Sequence, residues 1–124
     1  MNDKTIEWLL QGEAWIEYRT RLDLLGQTEK DPQAISARKA MLADTKIQSL
    51  LAELNNWPGT VLSSHKSASQ SFHKLAFLAD LGLNVNDAPV KKIADKVMKH
   101  QSSQGPFQLT MNIPTHFSGS GKDE

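Results

Sequence analysis

Between Phe72 and Gln101 the chain spells two helices separated by one glycine, and little else can be built from that pattern. Val90, Ile93, Ala94, Val97 and Met98 recur at i, i+3, i+4, i+7 and i+8, one stripe of a 3.6-residue helix, with Lys91, Lys92, Lys96 and Lys99 mostly outside it. Asp87 and Pro89 suit the start of that helix, which the spacing predicts from about Asp87 to Gln101. The preceding helix, Phe72 to Leu81, ends where Gly82 can turn left-handed and Leu83 can fold back. Its Phe72, Leu75, Ala76, Phe77, Leu78, Ala79 and Leu81 occupy more than one face, which predicts an inner helix covered on two sides.

The rest of the chain obeys the same period. Ile6, Trp8, Leu9 and Leu10 read as a short helix closed near Gly12, and Trp15, Tyr18, Leu22 and Leu25 as one side of a second closed by Gly26. Asp31-Pro32 restarts a helix with Ala34, Ala37 and Met41 on one face. Asp44 is placed to cap a fourth, whose Ile47, Leu50, Leu51 and Leu54 form an uninterrupted stripe that Trp57-Pro58-Gly59 breaks. Thr60 to Gln70 is polar and serine-rich, a loop. No stretch alternates with period two. The expected fold is all-α, about six helices in antiparallel hairpins joined by short loops.

Residues 1–108 read as one helical hairpin domain, and a chain of 124 residues buries roughly two-thirds of its unfolded surface, enough for one core. Residues 109–124 lack a helical period and end in glycine and serine, an irregular, flexible tail that Ile113 and Phe117 can pin. The absence of cysteine excludes thiol catalysis, cysteine zinc sites and redox switching. Basic and acidic residues balance at 14 each, seven against nine up to Leu62 and seven against five after it, which argues against a nucleic-acid footprint. Neither a leader sequence nor an 18-residue apolar run is present, so no membrane span is expected and the cytoplasm is the default compartment.

Gln101-x-x-x-Gly105-x-Phe107 after an α-hairpin resembles the repeat signature of squalene cyclases and protein prenyltransferases, where the last position is usually tryptophan. The opening, Trp8-Leu-Leu, Trp15-Ile-Glu-Tyr-Arg19 and Leu22-Asp-Leu-Leu25-Gly26, also resembles the start of bacterial proteins carrying these repeats. The resemblance implies a partial α-α toroid-like array, in which the glutamine ties a helix end to the neighbouring unit and the aromatic stacks nearby. It carries over no chemistry: the Asp-x-Asp-Asp acid of the cyclases and the Asp, Cys, His zinc set of the transferases are both missing. A complete ring needs several more hairpins, so the chain is expected to be either the leading portion of a longer protein or a small relative without the ring.

Beyond that signature, no residue is assigned to catalysis, a cofactor or a metal. His65, His73, His100 and His116 contain no His-x-x-x-His pair, and surface histidines are the better reading. Trp8, Trp15, Tyr18, Trp57, Phe72 and Phe77 are the candidates for an apolar cavity that would take an isoprenoid-like small molecule, although a packed core is the simpler account. The Lys91, Lys92, Lys96 and Lys99 group reads as a solvated face, and Ser64-His65 lacks an orienting acid. The favoured function is a non-catalytic binding or scaffold module for a protein partner or the remainder of a longer chain. The alternative is the N-terminal part of an isoprenoid-acting cyclase or transferase with its active site elsewhere.

Overall fold

The computed structural model describes residues 3–59, 61, 66 and 68–124. Six α-helices follow one another: α1 Asp3–Leu10, α2 Ala14–Asp23, α3 Pro32–Ala43, α4 Thr45–Leu54, α5 Ser71–Leu81 and α6 Ala88–Met98. A single 3₁₀ turn, Thr115–Phe117, comes after them. The described residues contain no strand or sheet, only isolated bridges, and the fold is all-α. No helix among them is long and apolar enough to cross a membrane. Most of the polar stretch 60–70, including Ser64 and His65, lies outside the described residues.

Contacts divide the chain into two compact units, residues 1–49 and 50–124, with the division inside α4. This differs from a helical domain of residues 1–108 followed by a tail, because the tail belongs to the second unit. In the first unit α2 packs on α3 and α1 on α2. Its core is Tyr18, Ala34, Ala37, Met41 and Ile47, so the Ala34, Ala37, Met41 stripe is buried as the spacing predicts. Leu25 is not on a buried face, because α2 ends at Asp23, before reaching it. The buried Thr20 is satisfied locally, its hydroxyl donating to the Ile16 carbonyl at 2.7 Å.

The second unit buries Leu51, Leu54, Trp57, Leu78, Leu81, Leu83 and Ile93. Gly82 ends α5 at φ +103°, and the Leu83 N–H donates to the Leu78 carbonyl at 3.1 Å while the Gly82 N–H reaches Ala79. This is the six-to-one closure with a left-handed residue at its centre, followed by a buried leucine. Lys74 pairs with Glu53, and the Lys96 ammonium donates to the Asn55 carbonyl, so residues from α5 and α6 are both tied to the end of α4.

Helix starts are capped unequally. Asp44 caps α4, its carboxylate accepting the Lys46 N–H at 2.8 Å. Asp31 and Asp87 stand before α3 and α6 but make no side-chain cap; they accept instead from Thr28 N–H at 2.8 Å and Asn84 N–H at 2.9 Å, closing the turn that delivers the chain. The proline-containing first turn then needs fewer partners in any case. α6 stops at Met98, three residues short of the expected Gln101, because Gln101 enters a turn of its own.

The tail is a closed loop. Met111 and Glu124 exchange backbone hydrogen bonds at 2.8 and 2.9 Å, and the Asn112 amide donates to Asp123 at 2.9 Å. Gly119 lies so near the Ile113 carbonyl that no Cβ fits between them. A lack of helical period therefore coexists with defined local structure.

Candidate interaction surface

The repeat-like residues form a self-contained clasp. The Gln101 side-chain amide donates to the Gly105 carbonyl at 2.8 Å, Ser102 N–H donates to the Pro106 carbonyl at 2.7 Å, and Gln101 and Phe107 form an antiparallel bridge. Gly105 sits at φ +108° with open space where a side chain would go, so the backbone angle alone asks for glycine. Gln101 is exposed, and so is Phe107. The requirement that a buried amide be paired therefore does not explain this glutamine; closing its own loop does.

The six aromatics are divided between the two units. Trp8, Trp15 and Tyr18 belong to the first unit, Trp57, Phe72 and Phe77 to the second. Trp8 is 71% exposed, Trp15 and Phe72 are half-buried, Tyr18 and Trp57 are buried, and Phe77 is 44% exposed. Trp8 lines an open groove of about 330 Å³ shared with Leu9, Gln11, Gly12 and Ile16 at the α1–α2 corner. The Tyr18 hydroxyl and the Trp57 indole N–H are buried without a hydrogen-bond partner, and the Arg38 guanidinium lies 6.0 Å from the Tyr18 ring centre. Such aromatics act as core, with their polar atoms the costly part.

At the same corner Lys46 Nζ donates to Glu13 at 2.7 Å and stands 5.6 Å from the Trp15 ring centre. The hydrogen bond and charge of Glu13 raise the Lys46 ammonium above its ordinary pKa. Glu13 precedes α2 but is spent on this lysine and makes no side-chain cap.

His73, His100 and His116 are exposed, and among the described residues no group of three or more histidine or carboxylate side chains could hold a metal ion. Lys91 pairs with Asp95 at 3.2 Å, Lys92 and Lys99 are exposed, and Lys96 is committed to Asn55. These lysines do not form one anion-binding cluster.

The feature that sequence reasoning mistook is α5. Leu78 and Leu81 are buried and Phe72 and Leu75 half-buried, as an inner helix requires on one side. Its other side is open: Ala76, Phe77 and Ala79 are exposed. Apolar residues all round a helix signal two covers, and the described residues supply one. The buried Gln70 just before α5 was also missed, since its polar neighbours read as loop. No family model matches the chain, and no curated protein and no solved structure proved similar to it.

Proposed function

We propose that the chain is a non-catalytic helical binding or scaffold module, of the kind that squalene cyclase and prenyltransferase toroids are assembled from, and that α5 carries its docking face. The observation behind this reading is the open side of α5, where Phe77 stands 44% exposed beside the exposed Ala76 and Ala79. Burying a fully exposed large apolar side chain stabilises by about 1.5–3 kcal/mol, so covering the exposed 44% of Phe77 contributes about 1 kcal/mol to a partner helix laid on this face. The partner is a protein surface or further helices of a longer chain.

An apolar fluorescent probe titrated into the protein tests the reading. The expected result is binding that Phe77→Lys largely abolishes and that a farnesyl-type compound does not displace. Displacement by the farnesyl compound at micromolar concentration would transfer the case to the alternative, part of an isoprenoid-acting enzyme, with the groove beside Trp8 as the place to look. Absence of any probe binding would remove the docking face altogether.

A further inference from the structure

The exposed side of α5 is complementary to itself. His73, Ala76, Phe77 and Asp80 are all exposed, and their i, i+3, i+4, i+7 spacing places them on one stripe. We propose that this stripe pairs with the same stripe of a second copy of the chain, the two α5 helices running antiparallel about a twofold axis between Ala76 and Phe77. The proposal rests on the docking role of α5 and names its partner.

Two properties of the stripe fit that arrangement. An isologous contact requires that residue i meet j and j meet i. Antiparallel register about this axis sets Ala76 against the partner copy's Phe77, so a small side chain leaves room for a ring at each of two equivalent places. The same register sets His73 against Asp80 of the other copy, at both ends of the contact. An imidazole N–H donates to a carboxylate there, and the pairs form a polar boundary to an apolar centre.

Asp80 also lacks a counterpart where it stands. It lies in the last turn of α5, where the helix dipole disfavours an acid, and α5 has no basic residue in that turn. Asp80 makes no ion pair among the described residues. A second α5 arriving antiparallel brings His73, from the opposite end of its helix, to this position. Helices that meet through alanine approach to within about 8–10 Å, close enough for such pairs to form. A single helix pair covers less than the roughly 1,200 Å² of a stable standard interface, so the association is weak and concentration-dependent.

Sedimentation equilibrium over protein concentrations on the order of 10 µM to 1 mM tests this, that range bracketing weak complexes. The weight-average mass should rise from the 13.8 kDa of one chain toward twice that value. Phe77→Glu should keep the mass at one chain throughout, with its helical circular dichroism intact. His73→Asp and Asp80→Lys should each weaken the dimer by about tenfold or more, because the first sets two carboxylates opposite one another at both ends and the second removes the carboxylate that accepts the imidazole N–H at both ends. Mixed in equal amounts, these two variants should recover a dimer, since the mixed pair matches His73 with Asp80 and the new lysine with the new aspartate. A wild-type mass that never leaves 13.8 kDa overturns the inference, and if the probe still binds in a Phe77-dependent way the docking face survives with a different partner. A dimer indifferent to Phe77→Glu, or single variants that dimerise like the wild type, overturns the α5 register.

Discussion

Asp31, Asp44 and Asp87 carry the same side chain at the same kind of position, yet only Asp44 bonds the helix that follows it. Asp44→Ala should therefore cost about 0.5–2 kcal/mol in urea unfolding, the usual loss for a cap. Asp31→Ala should act on the 28–31 turn and leave α3 amide protection unchanged, which hydrogen exchange resolves. Lys46 gives a pH-dependent counterpart. Its pKa is raised in the folded chain by the Glu13 hydrogen bond, so its contribution is complete below the unfolded value of 10.5 and is lost as pH rises through the folded one. The stability difference between wild type and Lys46→Met should accordingly shrink as unfolding is measured from below pH 10.5 to above it. Glu13 and Lys46 lie 33 positions apart, and nothing in the spacing of the chain announces that they meet.

The elements themselves were largely legible. α3 and α4 follow from their stripes because a helix that buries one face must repeat its apolar residues at that period. Gly82 was legible for a different reason: only a residue without a Cβ enters φ +103° at little cost, and it sits where an apolar run ends. Gly82→Ala should destabilise the chain by about 1 kcal/mol or more, read as a lower denaturant midpoint at unchanged slope. The second face of α5 was not legible, because periodicity records which residues are apolar and is silent on what covers them. Gln101 shows the same limit at a turn: its type and spacing mark a closure, whereas its acceptor, Gly105 of the same loop, depends on geometry.

For the whole molecule, the sequence reads as a single core with a tail, and the contacts form two units that divide inside α4. Ten residues of unbroken helix look like one element to any periodicity argument, so a boundary there has no sequence signal. Met41 and Ile93 are fully buried, one in each unit. Truncating either to alanine should cost about 2–5 kcal/mol. Met41→Ala should release amides of α2 and α3 to exchange while those of α6 keep their protection, and Ile93→Ala should do the reverse. Equal loss everywhere in both variants would mean that the units open together.

The clasp from Gln101 to Phe107 has a practical corollary. Its two ends are already bridged, and Ser103 and Gln104 at its tip are exposed. Lengthening a closed loop is inexpensive, about 0.6 kcal/mol for each doubling. The tip is thus a natural seat for a reporter, an epitope or a paramagnetic tag, which would ride on the end of α6.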